Sequence, residues 1–95
     1  MTLEELYARD LDDLRTVMGT PEGARFVSWI LDFAGVWRLS YNGEETHATA
    51  FKEGARNVGL ALLSRLDAAR EDARQRLWKA DEERRSGGWP RTREA

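Results

Sequence analysis

Large apolar side chains are confined almost entirely to the first 66 residues of the chain. Residues 1–66 contain 24 of them, counting Leu, Ile, Val, Met, Phe, Trp and Tyr, whereas residues 67–95 contain only Leu77, Trp78 and Trp89. A segment with so few large apolar residues cannot bury enough surface to form a core of its own. The sequence therefore predicts a helical core unit over residues 1–66 and a charged helical rod with a Trp-containing tail over residues 67–95.

The first helix is indicated by both its start and its periodicity. Apolar residues recur at steps of three and four from Leu3 to Met18, which is typical of an amphipathic helix. Thr2 and Glu5 have the spacing of an N-terminal capping box. Gly19 follows the last apolar residue, so we expect it to end the helix in a left-handed conformation.

The second helix is predicted to begin at once. Thr20 suits the N-cap and Pro21 suits the first helical position, while Gly35 is expected to end the helix. Apolar residues cover most of its circumference, which favours either a central position or a face covered by a partner. We expect Phe26 and Phe33 to belong to the core.

A third helix is predicted from about residue 45, with Phe51, Leu62 and Leu66 on its core-facing stripe. The charged residues after Leu66 are good helix formers, so this helix is expected to continue towards Arg85 as a projecting rod. A loop that contains Trp37 would pack across the three helices. The predicted fold class is therefore all-α, a small three-helix unit with a long C-terminal helix extension.

Two glycines and the polar residues between them are predicted to have structural roles in the third helix. Gly54 and Gly59 each lower helix propensity by about 1 kcal/mol relative to Ala. We expect them to allow close approach of another backbone, as the absence of a side chain permits. Arg56 and Asn57 lie between them and are expected to bond the carbonyls that end the first or second helix.

Composition argues against several classes of function. No run approaches the ~20 apolar residues that a membrane-spanning helix requires, and the acidic N-terminus does not resemble a secretory signal. The chain has no cysteine and one histidine, His47, so it lacks the usual metal-ligand patterns. Adjacent carboxylates lie in polar stretches, where we expect them to be solvated side chains and not a catalytic pair. We therefore predict no enzymatic activity, no cofactor and no metal site.

Residues that lie outside the predicted core are candidates for contact with a partner. Leu31 and Leu60 fall off the core-facing stripes of their helices, and two tryptophans lie in polar segments. Aromatic residues are enriched at interface anchors, although scattered exposure of apolar side chains is also common. The predicted interface residues, with two arginines of the rod, are Leu31, Leu60, Trp78, Trp89, Arg84 and Arg85.

Binding to nucleic acid is an alternative that the basic residues of the rod suggest. These residues are Arg70, Arg74, Arg76, Lys79, Arg84 and Arg85. Five acidic residues alternate with them between positions 71 and 83, and the whole chain has a net charge of −2. Interleaved acids weaken the field that attracts a phosphate backbone, so nucleic acid is not the favoured partner.

Several blocks of residues resemble a family of small phage proteins. They include Thr20–Gly23, Gly35–Trp37, Thr49–Phe51 and Arg56–Leu60, and the similarity in order and spacing covers about residues 11–66. The family was named from a Bordetella short-tailed phage and is encoded among head and portal genes. The resemblance implies a virion structural protein that is made in the bacterial cytoplasm and binds portal, head or tail proteins. With the apolar surplus, it suggests a multi-copy component. A small helical phage protein with a nucleic-acid-associated or regulatory role is the alternative.

Overall fold

The computed structural model of the chain describes residues 1–37 and 46–86. Within these ranges the backbone is all-α and contains no strand, which confirms the all-α part of the predicted fold class. The helices are α1 (Leu3–Met18), α2 (Pro21–Ala34), α3 (Thr46–Ala69) and α4 (Ala73–Arg85). The charged C-terminal region thus forms a separate fourth helix. Residues 38–45 and the Trp89 tail lie outside the described residues.

The first helix begins with the expected capping box. The Glu5 backbone N–H donates to Thr2 Oγ1 at 3.1 Å, and the Thr2 N–H donates to Glu5 Oε1 at 2.8 Å. The expectation of a left-handed Gly19 is wrong, because its φ is −78° and its N–H still bonds Thr16 O as in a right-handed turn. The chain changes direction at Thr20 instead, where the backbone is extended with φ of −115° and ψ of 150°.

The second helix has the predicted boundaries. The Gly23 N–H donates to the Thr20 side chain at 3.0 Å, Pro21 occupies the first helical position, and Gly35 ends the helix with φ of 79°. Gly23 also allows α1 and α2 to meet closely. A Cβ atom added there would lie 1.9 Å from the Val17 carbonyl oxygen, a requirement that the sequence pattern did not reveal.

The predicted continuation of α3 into a projecting rod is wrong. The helix ends at Ala69, and a short turn leads into α4, which packs against α2. At this turn Asp72 accepts hydrogen bonds from Arg70 Nε at 2.7 Å and Arg76 Nε at 2.8 Å. Asp67 accepts two more from Arg74, at 2.9 and 3.0 Å. Ion pairs between oppositely charged side chains therefore link the two sides of the turn.

Arginine side chains also bond the carbonyls at the helix ends that meet at this turn. Arg15 Nε donates to Ala69 O at 2.8 Å, Arg70 donates to Arg15 O at 3.3 Å, and Arg76 donates to Met18 O at 3.2 Å. The last carbonyls of a helix have no partner within it, so such bonds stabilise both the helix ends and their mutual position. The end of α1 is thereby held against the α3–α4 turn.

One hydrophobic core joins all four helices, and it crosses the predicted boundary at residue 66. Ala73, Leu77 and Ala80 lie at steps of four and three on α4, and all three are buried. This stripe, two of whose three members are alanines and which is here called the small-residue stripe, allows α4 to pack closely against α2. The core consists of Met18, Ala24, Val27, Leu31, Val36, Leu63, Leu66, Ala73, Leu77 and Ala80.

The predicted core-facing stripe of α2 is wrong, and that of α3 is correct only towards its C-terminal end. Phe26, Phe33 and Phe51 are exposed, whereas Leu62 is partly buried against the core and Leu66 is fully buried. The orientation of α2 is explained by α4, whose small side chains pack against the face of α2 that carries the smaller residues. Because that face turns inward, the aromatic face of α2 turns away from the core.

Candidate interaction surface

Two predicted interface residues contact the core. Leu31 is fully buried, and Leu60 is partly buried and packs against the core. The prediction for Leu31 is wrong because it took the aromatic side of α2 as the inner face, whereas that for Leu60, whose side chain is still partly exposed, stays a prediction. Trp78 is exposed on α4, so the structure leaves it available for a contact. Trp89 lies outside the described residues.

The two predicted interface arginines connect α4 to α2. Arg84 donates to Ser28 Oγ at 3.3 Å and to Asp81 at 3.4 Å, and it lies 3.8 Å from an Asp32 oxygen. Arg85 donates to Asp81 at 2.8 Å and also lies 3.8 Å from Asp32. The hydrogen bond to Asp81 raises the pKa of Arg85. These arginines therefore contribute to the packing of α4 within the chain.

The residues given structural roles in α3 divide into two groups. A Cβ atom at Gly59 would lie 2.3 Å from Val36 Cγ2, so this glycine does allow the end of α2 to come close. Arg56 Nε donates to the Val36 carbonyl oxygen at 3.3 Å, beside the end of α2. By contrast, a Cβ atom at Gly54 would lie within 4 Å of no atom of the described residues, so the close approach predicted there is wrong for this part of the chain. Asn57 is exposed.

A row of three exposed aromatic rings lies on α2, and it is here called the aromatic ladder. Phe26, Trp29 and Phe33 are 60%, 45% and 76% exposed. The Phe26 and Trp29 ring centroids are 5.9 Å apart, and those of Trp29 and Phe33 are 5.4 Å apart, with ring planes within 22° and 19° of parallel. Steps of three and four place the rings on one stripe of the helix. The ladder is thus a preformed apolar surface.

A groove adjoins the ladder where α2 meets the end of α4. Its volume is about 940 Å³. Arg25 and Glu83 form an ion pair of 3.0 Å across it and connect its two walls. Apolar rings therefore stand beside charges of both signs, a combination typical of the centre and rim of a protein–protein interface. The lining residues are Glu22, Arg25, Phe26, Trp29, Glu83, Arg84, Arg85 and Ser86.

The arginines that suggested nucleic-acid binding are bound to carboxylates of the same chain. Hydrogen bonds from Arg70 and Arg76 hold the pKa of Asp72 well below its usual range. The hydrogen bond from Arg74 lowers the pKa of Asp67. Such pairing neutralises the basic side of α4, and phosphate recognition depends on uncompensated positive charge. This arrangement favours an internal structural role for these arginines.

Within residues 1–37 and 46–86, no three His, Cys, Asp or Glu side chains are grouped closely enough to hold a metal ion. None of the helices in these ranges is long and apolar enough to cross a membrane.

Comparison with known proteins confirms the family resemblance. The model of a family described as Bbp19-like phage protein matches residues 14–79. This range runs from the end of α1 through α2 and α3 and includes Ala73–Lys79 of α4, so the similarity extends past residue 66. No curated protein and no solved structure matches the chain.

Proposed function

Because this chain belongs to the Bbp19-like phage protein family, we propose that it is a non-enzymatic structural component of a phage particle. It is made in the bacterial cytoplasm and incorporated in multiple copies among portal, head or tail proteins. The family resemblance supports this proposal, since related genes lie among head and portal genes.

The observation that carries the proposal is the aromatic ladder. Three stacked rings on one helix face are apolar surface that a chain of 95 residues could have used in its core. Instead, the core uses alanines and aliphatic residues, and the rings remain exposed. Exposed aromatic clusters mark protein–protein contacts more often than isolated apolar residues do. The ladder is therefore the surface through which the protein enters an assembly.

The charged residues also suit a structural component. Arg70 and Arg76 both donate to Asp72, and each also donates to a backbone carbonyl at the end of α1. Arg84 links α4 to Ser28 of α2. These groups hold the four helices in a fixed arrangement and so present the ladder on a rigid support.

Mass spectrometry of purified particles tests the proposal. We expect the wild-type protein to copurify with the particle and the Phe33→Asp variant to be lost from it, because a carboxylate in the ladder opposes burial. Phe51→Asp is the matched control, since Phe51 is 79% exposed but lies on α3. That variant should be incorporated normally.

Absence of the wild-type protein from particles would refute the proposal. A salt-dependent shift of DNA by the same protein would then favour the nucleic-acid-associated alternative. Equal incorporation of both variants would show that the ladder is not the assembly contact.

A further inference from the structure

From the ladder and the charges beside it, we infer that the aromatic ladder binds the same ladder of a second copy of this chain. The two α2 helices lie antiparallel, about a two-fold axis that passes near Trp29. This inference rests on the proposed function, because it names a second copy as the partner that the ladder binds before the protein joins a particle. A dimer formed in this way is the unit that enters the particle.

The order of the rings suits such a pairing. Phenylalanines lie on both sides of Trp29, at Phe26 and Phe33, so the order of the rings is the same in both directions along the helix. An antiparallel arrangement therefore sets Trp29 against its counterpart and Phe26 against Phe33 of the second copy. Isologous dimers require this kind of self-complementary surface.

Charges along one edge of the ladder are self-complementary in the same orientation. Arg25 and Asp32 are seven residues apart, which places them on the same flank of α2. In an antiparallel pair, like flanks meet with their directions reversed, so Arg25 faces Asp32 of the second copy. Both side chains remain partly exposed beside their partners within the chain, Glu83 for Arg25 and Arg84 with Arg85 for Asp32. In a parallel two-fold pair the opposite flanks would meet, so Arg25 and Asp32 would have no such contact.

The available area predicts a dimer of modest affinity. An aromatic side chain can bury 150–250 Å², so the exposed fractions of the three rings provide roughly 400 Å² per copy. Standard interfaces bury about 800 Å² per partner. The walls of the adjoining groove must supply part of the remainder, and we expect dissociation in roughly the micromolar range.

Sedimentation equilibrium of the full chain over about 1–200 µM tests the association. The wild-type protein and Phe51→Asp should shift from monomer to dimer over this range, whereas Phe33→Asp should remain monomeric. Circular dichroism checks that each variant keeps its helical content. A wild-type protein that is monomeric at every concentration overturns the inference and leaves the ladder to a different protein. A folded Phe33→Asp variant that dimerises as wild type does also overturns it.

Crosslinking tests the orientation, because the chain has no cysteine of its own. A short thiol-specific crosslinker should join Arg25→Cys to Asp32→Cys when the two variants are mixed. Neither variant should crosslink to itself efficiently. Efficient self-crosslinking of Arg25→Cys, without crosslinking between the two variants, would overturn the antiparallel arrangement.

Failure of the dimer and failure of the proposed function give different results. A monomeric protein that is found in particles refutes the dimer and leaves the structural function standing. A dimeric protein that is absent from particles refutes the structural function and leaves the dimer standing.

Discussion

The aromatic ladder of α2 and the small-residue stripe of α4 show opposite relations between side-chain size and burial. Phe26 and Phe33 are large and exposed, whereas Ala73 and Ala80 are small and buried. The helix with the most apolar sequence thus directs its largest residues outward, and the most charged helix supplies part of the core. The comparison teaches that close approach of two helices can decide which face is buried.

The physical reason lies in how densely two helices can pack. The inner face of α2 contains Ala24, Val27 and Ser28, which are all buried, and it meets alanines on α4. Small residues on both sides allow the helix axes to approach and bring many atoms into contact. Aromatic rings in the same place would separate the helices. Arginines on the flanks of α4 can then reach Ser28 and Asp32 of α2.

Removal of α4 should have the largest effect on this arrangement. Truncation after Asp72 exposes the inner face of α2 and deletes Leu77, whose loss alone removes a buried side chain of the core. We expect the truncated protein to lose its cooperative thermal transition, followed by circular dichroism. Truncation after Ser86 is the control, since it retains all four helices, and it should unfold near the wild-type temperature.

A truncated protein that still unfolded cooperatively at the wild-type midpoint would show that α4 contributes little to the core. The charged region would then behave as the independent rod that its composition suggested.

Single substitutions on the two faces of α2 should differ strongly. Leu31→Ala removes a fully buried side chain and should lower the free energy of unfolding by about 2–5 kcal/mol. Phe33→Ala truncates an exposed ring and should change it by less than about 1 kcal/mol at concentrations where the protein is monomeric. Urea denaturation of the two variants measures both values. The opposite ranking would place the aromatic ladder in the core.

The helix ends of α1 and α2 could be predicted from sequence because they depend on local chemistry. Thr2 with Glu5, Pro21 and Gly35 each act through contacts within a few residues, and the structure contains all of these features. The right-handed backbone conformation of Gly19 could not be predicted, since it depends on the short connection between α1 and α2.

Which face of α2 is buried could not be predicted from the sequence of α2 alone. Phe26, Trp29 and Phe33 have the spacing of a core stripe, and nothing in that spacing distinguishes a core from an interface. The deciding signal was in α4, where Ala73, Leu77 and Ala80 follow helical steps. A count of large apolar residues overlooks such a stripe because two of its members are alanines.

Two glycines of α3 provide a finer comparison between a crowded and an open position. In Gly59→Ala the new methyl group would lie 2.3 Å from Val36 Cγ2 and 2.9 Å from Ala34 Cβ, so the variant should lose about 1–3 kcal/mol of stability. Gly54→Ala meets no neighbour among residues 1–37 and 46–86 and should gain about 1 kcal/mol from improved helix propensity. Chemical denaturation of both variants checks the opposite signs. A gain in Gly59→Ala would mean that the end of α2 can move away easily.

The smallest effect is expected from the exposed ion pairs at the α3–α4 turn, and it should depend on pH. Hydrogen bonds from Arg70 and Arg76 lower the pKa of Asp72 in the folded protein. Because the folded-state pKa lies below the unfolded value of about 4, these bonds stabilise the fold at neutral pH. Their contribution should decline as the pH falls below about 4 and through the folded-state pKa, where the carboxylate becomes protonated. Asp72→Asn should therefore be slightly less stable than wild type at pH 7, with a difference that shrinks towards pH 2 in thermal unfolding. A difference in stability that stayed constant across this range would show that the Asn side chain destabilises the turn for steric reasons. The charge of Asp72 would then not stabilise the turn.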